Sequence, residues 1–375
     1  SSHGHKIYII SPTERKENKP SSLSTEGNVH FLNIRTLNVQ KTNIIEKGFA
    51  TLSIEHLFFF FLKKYFSDVK FDLVLYSTPP ITFTKVIDYV KNKDGAKSYL
   101  LLKDIFPQNA VDMKMMSKNG FIYKFFRKKE YQLYKISDQI GCMSEANRQY
   151  IYTHNPKINR EKVSVNPNSI QPQPFEEISA ENKAAIKKKN GLPIDKKIFI
   201  YGGNLGIPQG LDFLLETISA TEKDPKMFFL VVGSGTEFDR IQKWFNQNNP
   251  QNAKLISGLP KQDYDDLMKV CDVGMIFLHK DFTIPNFPSR LLPYLEYKLP
   301  VLVAADPNTD IGTEVEKHHS GISILSGNIN QMKEALDKFN GMNLEDFNQL
   351  RENARQYLEA EFLVSQSYEK IMSKL

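Results

Sequence analysis

Four stretches of the sequence pair reactive residue types with a spacing that presents them together. Tyr201–Gly210 reads YGGNLGIPQG, directly after the apolar run Ile198–Tyr201 and before the helical pattern Leu211–Ile218. Glycines let the backbone turn tightly there, and the following helix N-terminus offers unpaired N–H groups and about half a positive charge. That is the chemistry of a diphosphate cradle, with Gly203, Asn204, Gly206 and Gln209 as its binding candidates, set against an ordinary strand-to-helix turn. It is not a P-loop, because no Gly-Lys-Ser/Thr follows. Val231–Glu237 (VVGSGTE) is a second such junction, where Gly233 and Gly235 either touch a ligand or let the turn pack closely. Phe238 stands where a dinucleotide fingerprint would need its last glycine. Pro285–Val303 (PNFPSRLLPYLEYKLPVLV) leads a proline loop into a helix at Ser289, so Ser289 and Arg290 fall at a helix start, where a guanidinium fork suits phosphate. Asp104, in Lys103–Asn109 (KDIFPQN), follows the apolar run Tyr99–Leu102. Strand C-termini face the ligand crevice of open α/β sheets, so its carboxylate is expected to point at substrate, or else to cap the turn. Asp263-Tyr264-Asp265 imitates a D-x-D metal motif but begins a helical stretch, where acids simply favour the dipole; no metal or other cofactor is expected.

The elements that must position these residues alternate short β-branched runs with amphipathic stretches, the signature of βα units and parallel sheets. Strands are predicted at Lys6–Ser11, Val29–Ile34, Leu73–Tyr76, Tyr99–Leu102, Gln139–Met143 and Lys162–Val165. The front helices are expected near 51–66, 81–93, 120–135 and 144–154. Asn166–Phe175 (NPNSIQPQPF) has three prolines and no periodicity, which reads as a linker. The alternation restarts at Ile198–Tyr201, Phe228–Val232, Ala253–Ile256, Val273–Phe277, Val301–Ala304 and Gly321–Ile324, and ends in one long helix from about 344 to 373.

Charge divides the 375 residues unevenly. Residues 1–170 carry a net charge of about +11 and the remainder about −5, within a formal total of +6. A basic front half calls for an anionic partner: nucleic acid, an acidic bilayer or a phosphorylated substrate. His56–Phe66 (HLFFFFLKKYF) and Gly120–Lys135 (GFIYKFFRKKEYQLYK) interleave aromatics with cations, which suits helices lying on an anionic membrane as well as it suits core packing. No recognised nucleic-acid motif is present, so nucleic acid is not expected as a partner. The two cysteines, Cys142 and Cys271, form no C-x-x-C pair and suit a reducing compartment. The longest apolar run, Leu57–Leu62, is too short to span a bilayer.

Taken in order, these motifs resemble a GT-B glycosyltransferase of family 4, most similar to bacterial capsule and O-antigen transferases of the N-acetylfucosamine type. His5–Ser11 resembles the family's "GHEVTVLT", Asp104–Ala110 its "DLWPESA", and Lys162–Ile170 its "KVSVIPNGI". YGGNLG, VVGSGTE, PSRLLPYLEYKLPVL and the terminal Arg355–Phe362 (RQYLEAEF) continue the match. The resemblance implies two Rossmann-like doubly wound lobes facing across a cleft. They would be an acceptor-side lobe at 1–165, a linker at 166–176, a nucleotide-sugar lobe at 177–354 and a closing helix at 355–375 that crosses back to the front lobe. It further implies a retaining transfer from a nucleotide-diphosphate sugar, a UDP-sugar, to a polyprenyl-linked glycan in surface polysaccharide synthesis. Asp104 and Arg290 would be catalytic, Gly203, Asn204, Gly206, Gln209, Gly233, Gly235, Ser289 and Arg290 would bind the donor, and no metal would take part. The location would be cytoplasmic, at the inner face of the cytoplasmic membrane. A sugar-nucleotide epimerase and a non-catalytic sugar-nucleotide-binding subunit are the alternatives.

The sequence departs from the family pattern at three places. Where the family has paired glutamates, this chain has Pro285 and Pro293, with Glu296 out of register. Asn204 and Gln209 replace the usual phosphate-binding Arg and Lys, which leaves Arg290 as the leading phosphate ligand. "GHEV" normally closes the first βα unit, so roughly thirty residues, with the first strand and its glycine loop, are expected to be missing from the front lobe.

Overall fold

Alternation of strand and helix runs through the whole chain. The computed structural model describes residues 3–38 and 44–375, and of 44–52 the backbone alone. The front part runs β1 (Ile7–Glu14), β2 (Ser22–Glu26), β3 (Val29–Thr36), α1 (Ile44–Phe66), β4 (Leu73–Ser77), α2 (Thr84–Asp94), β5 (Lys97–Leu102), α3 (Gln108–Asp112), α4 (Phe121–Ile136), β6 (Gln139–Cys142), α5 (Glu145–His154) and β7 (Val163–Val165). Its strands form two sheets, one of order β1-β3-β2 and one of order β4-β5-β6-β7. Each predicted front strand is present, and β1 is an edge strand of the smaller sheet. The polar strand β2, exposed throughout, was not legible as a strand; it pairs antiparallel with β3 in a hairpin turning at Gly27, φ +56°. The front core is built on a four-residue repeat: Ile54, Phe58, Leu62 and Phe66 of α1 share one face and bury against Leu32 and Ile34 of β3. Phe58, Leu62 and Phe66 of the aromatic segment 56–66 are therefore core.

The back part runs α6 (Ala180–Lys189), β8 (Lys197–Asn204), α7 (Leu211–Ala220), β9 (Met227–Ser234), α8 (Phe238–Asn248), β10 (Ala253–Ile256), α9 (Lys261–Met268), β11 (Val273–Phe277), α10 (Leu291–Glu296), β12 (Val301–Ala305), α11 (Ile311–Lys317), β13 (Gly321–Leu325), α12 (Ile329–Gly341), α13 (Leu344–Glu361) and α14 (Val364–Met372). Its six strands make one parallel sheet of order β10-β9-β8-β11-β12-β13. Both faces are covered, which is why the strands read as unbroken apolar runs. Ile198, Ile200, Leu230 and Val232 enter one core, whereas Phe199, Tyr201, Phe229 and Val231 enter the other. The order reverses between β8 and β11, a topological switch point of the kind where such sheets bind ligands.

Two boundaries differ from expectation. The chain divides into one compact unit of 1–102, 118–140 and 157–162 and another of 103–117, 141–156 and 163–375, rather than at a single linker near 166–176. Segments 103–117 and 141–156 group with the back unit because their side chains bond to it: Asp112 takes the Thr283 N–H at 2.8 Å, and Asn147 Nδ2 donates to Pro285 O at 2.9 Å. Residues 355–375, expected as a closing helix, group with the back unit. Ala354, Tyr357, Leu358 and Phe362 are buried in that unit's own core. The long helix expected over 344–373 is also two helices, broken where Leu363 bridges to Ile170.

Candidate active site

At the C-terminal end of β8 the chain passes Gly203 and Asn204 and makes a short 3-10 turn at Ile207–Gln209. It then enters α7 through Gly210. Gly210 holds φ +58°, and a Cβ there would lie 2.7 Å from Leu278 O, so both the backbone conformation and the space exclude other residues. The second glycine junction packs onto the first. A Cβ on Gly233 would meet Gly203 O at 1.9 Å, and one on Gly235 would meet Leu205 O at 2.2 Å. Gly233 and Gly235 thus bring the two strand ends into backbone contact. Asn204 faces this junction, its Oδ1 lying 2.7 Å from the Cβ position of Gly235.

Arg290 reaches the same place from the other side. Its Nη2 donates to Gln209 Oε1 at 2.5 Å, and its guanidinium lies 4.4 Å from the centre of the Tyr201 ring. The Cβ position of Gly203 is 3.8 Å from its Cζ. Nη1 is buried and, among the described residues, has no hydrogen-bond partner. Gly203, Asn204, Gly206, Gln209, Gly233, Gly235 and Arg290 therefore converge on one spot. A cavity of about 340 Å³ opens beside the turn at Ile207 and Gly210, lined also by Asp212, Glu216, Arg240 and His279; none of those seven residues lines it. The helix start expected at Ser289 lies later: α10 begins at Leu291, has only six residues and takes Arg290 as its N-cap residue. Positive charge here comes from the guanidinium rather than from a long helix dipole. Ser289 is exposed, and Asn168 Nδ2 donates to its Oγ. Pro285 and Pro293 stand in the loop and in α10, and Glu296 accepts the Gln173 N–H at 2.9 Å.

Three tyrosines that the sequence reading passed over complete the site. Tyr201 donates from its hydroxyl to Asn204 O at 2.8 Å. Tyr294 accepts the Gly202 N–H at 2.9 Å and donates to Met275 O at 3.1 Å. Tyr264 presses its hydroxyl on Gly202, where a Cβ would lie 1.9 Å from the oxygen. Burial pushes all three phenols up from their ordinary range, so they stay neutral. Tyr264 belongs to the Asp263-Tyr264-Asp265 triplet, whose acids pair with lysines, Asp265 with Lys261 at 2.5 Å and Asp263 with Lys189 at 3.9 Å.

Asp104 lies on the turn after β5, where Asn109 Nδ2 donates to its Oδ2 at 2.8 Å. Burial pushes its carboxyl up to about 6, against hydrogen bonds from Ile105 and Asn109 that favour the ionised form. Because the folded value lies above the unfolded one, the fold favours the protonated acid. Its stabilising contribution is full at low pH and lost as pH rises through about 6. Asp104→Asn is therefore expected to raise the melting temperature at pH 7.5 by about 2–4 °C. The gain should vanish below about pH 4, and melts across that range check it. Just beyond Asp104, α3 is joined to the loop that leads to Arg290: Asp112 accepts from Thr283 N and Oγ1, both at 2.8 Å, and from Gln108 Nε2 at 2.8 Å. Ile105, Phe282 and Ile284 bury together beside it.

Comparisons with known proteins bear on the family and the fold. Residues 182–357, just under half of the chain, match the family of glycosyl transferases group 1. The probable glycosyltransferase WbjE of Pseudomonas aeruginosa is 23% identical over 292 residues, which cover 74% of this chain and 68% of that protein. The putative colanic acid biosynthesis glycosyl transferase WcaI of Escherichia coli is 27% identical over 155 residues, 40% of this chain and 37% of that one. Among solved structures, the trehalose-6-phosphate protein of E. coli bound with UDP-2-fluoro glucose superposes with a TM-score of 0.71 at 12% identity, covering 98% of this chain and 92% of that chain. Likeness at that identity establishes the fold, which is GT-B.

Proposed function

We propose that this chain, a glycosyltransferase of GT-B fold with a group 1 domain at residues 182–357, is a retaining enzyme of polysaccharide synthesis that moves a sugar from a nucleoside-diphosphate donor to a lipid-linked glycan. One observation carries the donor half of this reading. Arg290 is seated on neutral groups, Tyr201, Gln209 and Gly203, with Nη1 buried and unmatched beside the glycine turns. A cation held that way is stabilised by an anion that arrives with the substrate. As the glycosidic bond breaks, charge builds on the leaving diphosphate, and a donor already in place needs no reorganisation to receive it. The turn from Gly203 to Gly206 lies alongside, its Leu205 N–H already donated to Ser234 O at 2.9 Å, and Ser289 precedes Arg290 in the chain. A UDP-sugar is the donor we assign, because the E. coli neighbour of the same fold carries UDP-2-fluoro glucose. Asp104, whose ionised form prevails above about pH 6, is the group assigned to accept the acceptor's hydroxyl proton.

The acceptor half rests on the front unit's charge and on α4, whose first residues Phe121 and Ile122 are exposed among lysines. That surface suits a polyprenyl-linked glycan held at an anionic membrane, at the inner face of the cytoplasmic membrane. Among the described residues no helix is long and apolar enough to cross a membrane. The role of WcaI in colanic acid biosynthesis points to the same class of product.

A melt against UDP-, GDP-, ADP- and TDP-sugars tests the donor assignment, since a ligand of the native state raises the midpoint by mass action. The expected result is a shift with one UDP-sugar, followed by slow nucleotide release without acceptor. A new sugar nucleotide in the mixture would make the enzyme an epimerase, and no shift with any of them would remove the donor site.

A further inference from the structure

We propose that Tyr201 is a positioning residue of the donor site, joining the Arg290 guanidinium and the glycine turn into one preset arrangement; this rests on Arg290 being the diphosphate ligand. Ile198, Phe199, Ile200 and Tyr201 are all fully buried, and three of the four are plain hydrocarbon. A phenol in that series must bury a hydroxyl, which is unfavourable unless the oxygen is matched. Tyr201 matches it on Asn204 O, three residues along its own chain, so the bond spans Gly202 and Gly203 and fixes the turn between them. The ring is fixed as well. One edge lies in the core near Phe277, with centroids 6.4 Å apart, and the hydroxyl is tethered at the other end. A ring held at both ends gives the guanidinium a floor that cannot tilt.

Three constraints then act on Arg290. The ring lies 4.4 Å from Cζ, Gln209 accepts from Nη2, and Gly203 at φ +122° leaves its Cβ position 3.8 Å from Cζ. What remains is Nη1, buried and, among the described residues, without a hydrogen-bond partner. A phenylalanine at 201 would keep the floor but release the turn, and an aliphatic residue would lose both. Tyrosine is the residue that serves the two together.

The experiment is nucleoside-diphosphate titration by calorimetry on the full chain, using whichever of UDP, GDP, ADP and TDP binds most tightly. Tyr201→Leu is expected to weaken binding about tenfold, and Tyr201→Phe less, about threefold. In an Arg290→Ala background, Tyr201→Leu should add less than twofold, because the group it positions is gone. Equal losses in both backgrounds would make Tyr201 a general structural residue and overturn the proposal. Should Tyr201→Leu fail to fold, phenylalanines carrying one, two and three ring fluorines at 201 keep the shape while draining the ring's negative face. Affinity falling stepwise with fluorine supports the proposal, and affinity independent of fluorine overturns it. An Arg290→Ala protein that binds nucleoside diphosphate as the wild type does would instead defeat the donor-site reading itself, whatever Tyr201 does.

Discussion

Arg290→Ala is expected to weaken nucleoside-diphosphate binding by about ten- to a hundredfold and to lower turnover with it. The range is that of one or two hydrogen bonds to a charged group lost from a partly buried site. Stability should respond in the opposite sense. The free enzyme holds a half-buried cation whose Nη1 is unmatched, so its removal relieves a desolvation penalty, and the ligand-free melting temperature should hold or rise. The upward shift on adding nucleotide should shrink. That pairing, an unharmed fold with lost ligand response, separates a ligand contact from a packing residue. Arg290→Lys should recover binding only in part, since an ammonium cannot fork across two oxygens, and it cannot both seat on Tyr201 and reach Gln209 as the planar group does. Calorimetry together with initial rates checks all three variants. Wild-type affinity and rate in Arg290→Ala would take the residue out of the site.

How much of this was legible in the sequence depends on how local each feature is. Strand after strand was readable because the back sheet is covered on both faces, so Ile198–Tyr201 or Phe228–Val232 could be little else. The exposed edge β2 has no apolar alternation to announce it. The break between α13 and α14 at Phe362 and Leu363 is made by a partner nearly two hundred residues away, Ile170, and no periodicity could signal it. Glycines were readable as turns, since Gly210 demands a positive φ, but that Gly233 touches the carbonyl of Gly203 needs two strand ends side by side.

The tyrosines show the limit more sharply. Tyr201, Tyr264 and Tyr294 come from three elements, and what unites them is the backbone of Gly202–Asn204, which each of them touches or bonds. Tyr264 was read through its acidic neighbours, whose charges are in fact matched by Lys261 and Lys189, while the phenol between them faces the site. Residue types signal chemistry only where the types are rare. A tyrosine in an apolar run looks like core, and here it is core on one face and a cation's support on the other. Likewise Asp112 looks like a solvated acid in sequence, yet it collects the hydrogen bonds that join α3 to the loop before Arg290.

Binding to vesicles of anionic lipid is the other large effect expected, and the structure names the residues that should produce it. Phe121 is 82% exposed and Ile122 is 59% exposed at the start of α4, with Lys118, Lys124 and Lys128 exposed around them. An apolar tip ringed by cations would enter the headgroup boundary with Phe121 and Ile122 and hold the lipid phosphates with its amines. Phe125 and Phe126, by contrast, are half-buried and pack on each other, with centroids 5.3 Å apart. Each lysine near an anionic surface contributes about 1 kcal/mol, so Lys124→Gln with Lys128→Gln should weaken binding by roughly thirtyfold. The loss should shrink as salt rises, because exposed charges are screened beyond about 8 Å at physiological ionic strength. Phe121→Ser with Ile122→Ser should weaken binding too, but by an amount that salt changes little, since apolar transfer is not screened. Arg127 must be left alone in this test. Its Nη1 pairs at 2.8 Å with Glu130, a residue 3% exposed that also accepts the Tyr134 hydroxyl at 2.8 Å. Removing Arg127 would take an ion-pair partner from that buried carboxylate, and lost stability would pass for lost membrane affinity. Sedimentation with anionic and with neutral vesicles, at low and at physiological salt, separates the charge from the apolar contribution. Wild-type protein that stays in solution with anionic vesicles at low salt would make Phe121 and Ile122 a contact for some other surface and the acceptor a soluble glycan.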